Sequence, residues 1–140
     1  MNDEAKQRIL VAPDEFHSTC FVCGNGNPDG IRLQFLQLGD HLHGEVVVGD
    51  RLHGYEGIVH GGIVASILDA AMVRCLHAAF GNNPYTCRLD VRYFRETPIG
   101  NRIAVDAHVT SHRRNMCWAE AEMLLGQVRC AHASGIFKLA

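Results

Sequence analysis

The residues best suited to chemistry lie in one stretch, Gly54-Tyr-Glu-Gly-Ile-Val-His60-Gly61-Gly62-Ile-Val-Ala-Ser-Ile-Leu-Asp69-Ala-Ala-Met72. Glycine inside a helix costs about 1 kcal/mol relative to alanine. Gly61 and Gly62 fall where an apolar helical run must begin, so they mark a place where something approaches the backbone closely. The first amides of a helix have no intrahelical partner and carry the positive end of its dipole. Presented there, they can polarise a carbonyl oxygen that gains negative charge during acyl transfer. Asp69, between Leu68 and Ala70, is the second candidate. Burying a carboxylate is unfavourable unless it is paired or hydrogen-bonded, and desolvation raises its pKa and makes it a stronger base. An aspartate satisfied by an arginine or by a partner subunit fits the same pattern. The helix alone does not separate the two readings.

The elements that position these residues follow from hydrophobic period. Residues 1–16 are charged and weakly patterned and read as an N-terminal arm or short helix; residues 17–140 read as a single domain. Residues 17–30 are dense in Gly, Asn and Pro and form a loop. Strands are expected over Ile31–Leu38 and His41–Val48, joined by a Gly39-Asp40 hairpin turn. After a glycine-bearing loop at 49–59, one long helix runs from Gly61 to Phe80 and stops at Gly81-Asn82-Asn83-Pro84. It is apolar nearly all round and therefore buried on most sides.

Everything after the helix alternates. Cys87, Leu89, Val91 and Tyr93 share one face, with Thr86, Arg88, Asp90 and Arg92 on the other. Ile103, Val105, Ala107 and Val109 repeat the pattern, as do Cys117, Ala119, Ala121 and Met123, and finally Ala131, Ala133, Gly135, Phe137 and Leu139. Such runs are antiparallel strands with one face on the core. Breaks fall at Pro98–Gly100, Ser111–Asn115 and Gly126-Gln127. Two strands, one buried helix and four more strands make an α+β layer architecture.

Composition narrows the function. A net charge of -2 over 140 residues offers no footprint for nucleic acid or an anionic membrane surface. The N-terminus is acidic where a signal peptide would be basic and then apolar. Ile58 to Phe80 carries His60, Asp69, Arg74 and His77, unfavourable at membrane depth. A cytoplasmic protein with six reduced cysteines is the expectation.

Tyr55-x-Gly57-x-x-His60-Gly61-Gly62 followed by Leu68-Asp69-x-Ala71-Met72 resembles the hotdog-fold thioesterases of the phenylacetate-degradation (PaaI-like) type. Cys20-Phe-Val-Cys23-Gly24 with Asn27-Pro28-x-Gly30-Ile31, and Val91-Arg-Tyr93-Phe-Arg-Glu-Thr-Pro98-Ile-Gly100, extend the resemblance over residues 20 to about 139. It implies a central helix wrapped by a six-stranded antiparallel sheet. It also implies an acyl-CoA substrate and a homodimer or homotetramer with active sites at the subunit interface. Asp69 matches the catalytic carboxylate, as general base or nucleophile. Gly61, with Gly62 beside it, matches the helix-start amide that polarises the carbonyl. His60 matches the histidine that orients this turn, and Thr86 a hydroxyl that positions water. Where several members carry Asn or Gln this chain has Gly54, with His53 beside it as a candidate contact. Coenzyme A brings phosphates, for which Arg113 and Arg114 are the preferred partners. Arg88, Arg92 and Arg95 are further candidates.

Other signals are weaker. His17-x-x-Cys20-x-x-Cys23 lacks the second ligand pair of a structural zinc site. There is no P-loop and no Gly-x-Ser-x-Gly elbow. No motif calls for a metal or cofactor. A hotdog dehydratase or hydratase and a non-catalytic acyl-CoA-binding protein are the alternative readings.

Overall fold

The computed structural model describes residues 8–11 and 17–139. Its strands are β1 (Arg8–Val11), β2 (Phe35–Leu38), β3 (His41–Val47), β4 (Pro84–Tyr93), β5 (Arg102–Arg113), β6 (Met116–Leu125) and β7 (Val128–Leu139). One long helix, α1 (Gly61–Phe80), follows β3 after a short 3-10 turn at Asp50–Leu52.

Both ends of α1 are chemically specified. His60 stands at φ -55, ψ 135, outside the helix, and its ring nitrogen accepts the Gly62 N–H. At the far end Gly81 adopts φ 75, the left-handed conformation that glycine enters without steric cost, and its N–H bonds His77 O at 2.8 Å. Between the caps, Val64, Ile67, Leu68, Ala71, Met72 and Leu76 are buried against the sheet. By length and apolar composition α1 would qualify to cross a membrane, but half of it is enclosed by this fold, as in a core helix.

The strands form one antiparallel sheet in the order β1-β2-β3-β5-β6-β7-β4. It curls round α1, which touches β5 and β6 most and β4, β7 and β3 at the flanks. Small residues on the concave face permit this approach. Ala107, Ala119, Ala121, Ala131 and Ala133 are all fully buried. This is the hotdog arrangement, a helix in a wrapping sheet.

Four details differ from the sequence expectation. First, Arg8–Val11 pairs with β2 and adds a seventh strand at the edge; the rest of the arm lies outside the described residues. Second, the strand expected from Ile31 begins only at Phe35, because Arg32 at φ 60 interrupts the extended backbone. Third, β5 continues through Arg113, so the break at 111–115 shrinks to the two residues Arg114 and Asn115, with Arg114 at φ 56. Its register shift at Val109/Ser111 keeps His112 paired with Cys117.

The fourth bears on the site. β4 carries a register shift between Thr86 and Arg88 where it pairs with β7. A bulge adds one residue to a strand and reverses which face the residues before it occupy. Thr86, Leu89 and Val91 are therefore half-buried, and Cys87 and Arg88 both face outward. Plain alternation had placed Thr86 outward and Cys87 inward.

Candidate active site

The helix start separates the two glycines. Gly62 N–H donates to His60 Nδ1 at 2.9 Å, so this amide is spent on the cap. With Nδ1 accepting, Nε2 is the ring nitrogen left to donate. Gly61 N–H has no hydrogen-bond partner among the described residues, and the residue is exposed. Its carbonyl is held from the other side by Tyr93 Oη–H at 2.6 Å. A Cβ on Gly62 would lie 3.1 Å from His60 Nδ1, and one on Gly54 3.3 Å from His60 Cα. The glycines let the imidazole fold back over the turn.

Beside this amide lies an open cavity of about 600 Å³, lined among others by Tyr55, Ile58, His60, Gly61, Tyr93 and Arg95. Burial raises the Tyr93 phenol above its ordinary pKa and keeps it a donor. Tyr93 was missed as a site residue. Its signal was an aromatic with a polar tip ending the strand after the helix.

Asp69 sits midway along α1. Its Oδ1 accepts the Thr86 hydroxyl at 2.8 Å, the contact that the β4 bulge makes possible. Burial is the largest influence on its carboxyl and raises the pKa; the Thr86 bond opposes this, and the charge of Cys20 adds to it. Asp69 lines a second cavity, of about 170 Å³, with His17, Cys20, Cys23, Ser66 and Arg74.

One chain does not bring the two centres together. Gly61 and Asp69 are eight residues apart on a continuous helix, about 12 Å along its axis. The phosphate candidates are dispersed as well. Arg113 and Arg114 stand at the β5–β6 hairpin, where the neighbouring His112 ring packs 4.6 Å from Phe80 at the far end of α1. That is about 28 Å along the helix from Gly61. Arg88 is engaged with Asp90 at 3.0 Å on the outer face of β4. His53 is exposed and bridges Val59, adjacent to the larger cavity rather than in its wall. Arg95 does line that cavity. Among the described residues there is no cluster of three or more metal-binding side chains.

A curled sheet round one long central helix defines a hotdog domain. The sequence comparison agrees. The family model for the thioesterase superfamily matches residues 56–131, more than half of the chain, and the chain belongs to that superfamily.

An uncharacterized protein of Schizosaccharomyces pombe is 32% identical over 95 residues, which is 61% of this chain and 53% of that protein. This chain thus spans about half the length of that relative. Among solved structures, a thioesterase superfamily protein superposes with a TM-score of 0.79 at 24% identity, covering 86% of this chain and 60% of that one. The PaaI protein of the E. coli phenylacetic acid degradation operon gives 0.72 at 14% identity, covering 79% and 80%. A Streptococcus mutans protein bound to acetyl-CoA gives 0.67 at 17%, covering 72% and 82%. These likenesses establish the fold.

Proposed function

We propose that the chain hydrolyses acyl-CoA thioesters to the free acid and CoA, in a site assembled from two copies of the chain. The observation that carries this is the Asp69 carboxylate, half-buried on an apolar helix, held by Thr86 and raised in pKa. The Gly61 amide at the start of the same helix, without a partner among the described residues, supports it. At a separation of about 12 Å, one chain's pair cannot touch a single carbonyl carbon and its oxygen. Gly61 of one copy and Asp69 of another can. The exposed outer edge of β4, with Tyr85 and Cys87 facing out, offers an edge for pairing with that second copy.

In this site the thioester oxygen accepts from Gly61 N–H. The Asp69 carboxylate takes a proton from water as it adds to the carbonyl carbon, or attacks that carbon itself to form a mixed anhydride that water then hydrolyses to the free acid. The tetrahedral intermediate collapses by breaking the C–S bond, and the CoA thiolate leaves. The larger cavity receives the arm of the substrate next to the carbonyl. Arg95 at its wall, and Arg113 and Arg114 from the second copy, are available to the CoA phosphates. The acetyl-CoA held by the Streptococcus mutans neighbour fits this choice of carrier. Six free thiols fit a reducing compartment.

The test is loss of thioester ultraviolet absorbance over a panel of acyl-CoAs, with wild type and Asp69→Asn. Asn keeps the shape but cannot take a proton, and turnover should fall by about 100- to 10,000-fold. Turnover that survives the change removes Asp69 from the mechanism. Hydration of enoyl-CoAs without hydrolysis would move the assignment to a hydratase. That chemistry needs a free histidine base, and His60 Nδ1 is occupied by the Gly62 amide.

A further inference from the structure

The Asp69 cavity has a second set of reactive groups in its wall. Cys20 and Cys23 lie in a turn closed by the Gly24 N–H on Cys20 O at 2.9 Å. That bond spans one turn, which brings the Cα atoms of residues three apart to within about 7 Å. Both thiols line the Asp69 cavity, and each acts on the ionisation of the other. Disulfides form at Cα separations of about 4.4–6.8 Å, so an S–S bond can close here without unwinding the turn.

The two thiols differ in character. Interaction with the Cys23 thiol holds Cys20 well below the ordinary thiol value against the opposing effect of burial, with lesser help from backbone amides and from His17. Cys23, fully enclosed, is pushed the other way by that same interaction and by burial, while the Arg74 guanidinium opposes the rise. Cys75 is pushed up to about 11 by burial. A half-exposed thiolate beside a second thiol is the arrangement of a peroxide-sensitive pair.

We propose that Cys20 and Cys23 are a redox-modifiable dithiol that a hydroperoxide converts to an intramolecular disulfide in the wall of the Asp69 cavity. The Cys20 thiolate attacks the distal peroxide oxygen. The O–O bond breaks, hydroxide or alkoxide leaves and takes a proton from solvent water, and Cys20 becomes a sulfenic acid, two electrons having passed from sulfur to the peroxide. The negative charge that held the Cys23 proton is then gone, and Arg74 favours the Cys23 thiolate. Cys23 Sγ attacks Cys20 Sγ, the S–S bond forms and the S–O bond breaks. Hydroxide departs and is protonated by the proton Cys23 gave up. Reduction by a dithiol reverses the step.

The direct test treats the whole protein with hydrogen peroxide, blocks remaining thiols with iodoacetamide and maps the peptides by mass. The expected product is the peptide spanning residues 20–23 lighter by two hydrogens, restored by dithiothreitol, with the other four cysteines still alkylated. Cys23→Ser should stop at a dimedone-reactive sulfenic acid on Cys20, and Cys20→Ser should leave Cys23 reduced. A measurement on unaltered protein guards against misfolded variants. Iodoacetamide at pH 6, where an ordinary thiol of pKa about 8.5 is less than 1% ionised, should label Cys20 at least about fivefold faster than the more exposed Cys87. Oxidation falling first on Cys87, or disulfides forming between chains while residues 20–23 stay reduced, would overturn the proposal. Thioester hydrolysis before and after oxidation rests on the proposed activity; the mass map does not, so the two failures are distinguishable.

Discussion

Gly61→Pro isolates the amide on which the proposed electrostatics depend. Proline deletes the N–H and normally disrupts a helix, but the first helical position tolerates it, because that amide has no intrahelical partner. Gly61 occupies that position, directly after the cap His60. Proline also requires an extended residue before it, and His60 already stands at φ -55, ψ 135. No protein hydrogen bond is lost, since the Gly61 N–H has none among the described residues. A Cβ there meets Tyr93 at 3.7 Å, an ordinary contact. The melting temperature should therefore stay within a few degrees of wild type. Removing one oxyanion donor costs about 2.7–4 kcal/mol in the transition state, or about 100- to 1,000-fold in kcat. Gly61→Ala, which fills the same space and keeps the amide, should retain activity within about tenfold. The assay is initial-rate hydrolysis of the best acyl-CoA, with circular dichroism confirming the fold. Gly61→Pro retaining kcat within a few-fold of Gly61→Ala would refute the reasoning.

The remaining predictions concern Asp69 and its supports. The folded carboxyl of Asp69 has a pKa above its ordinary value of 3.8, so the folded state holds the proton more tightly than the unfolded chain. Its contribution to stability is present at low pH and lost as pH rises through the raised value. Asp69→Asn should accordingly melt a few degrees higher than wild type at pH 7, and the gain should vanish below about pH 4; no gain at pH 7 would mean the carboxylate is well solvated. Thr86→Val removes the bond that lowers this pKa. At about 1.5 kcal/mol, the low end for a bond to a partly exposed charge, kcat/KM on the acid limb should drop roughly tenfold and the limb should move to higher pH. An unmoved limb would show that Thr86 does not tune Asp69. His60→Ala loses the cap on Gly62 and should destabilise by about 1 kcal/mol by thermal melting. Gly135→Ala places a Cβ 2.5 Å from the ring of the fully buried Phe137 and should cost about 1–3 kcal/mol in urea unfolding.

The helix was legible to the residue, because both its ends are written in local chemistry: His-Gly-Gly at one and Gly-Asn-Asn-Pro at the other. The core faces of β5, β6 and β7 were legible for a related reason, since period-two alternation reports burial directly. Thr86 was named as a site residue but placed on the wrong face. A bulge depends on pairing with β7 and leaves no mark in the strand's own residues. The polar run His112-Arg113-Arg114 read as a turn although β5 extends to Arg113, because exposed strand ends carry no hydrophobic signal. Gly61 and Gly62 looked equivalent until the His60 ring claimed one amide. The Tyr93–Gly61 contact joins residues 32 apart and could not be read locally.

The central claim, a hydrolytic site built from Gly61 of one copy and Asp69 of another, is tested most directly by complementation. Asp69→Asn and Gly61→Pro chains, each inactive alone, are co-expressed with different tags, and acyl-CoA hydrolysis is measured on the doubly purified and the unfractionated protein. In a two-fold dimer each mixed pair holds one intact site and one doubly defective site, so a random mixture should recover about a quarter of wild-type activity and the purified mixed dimer about half. A mixed dimer that forms yet stays as inactive as either parent would contradict the account.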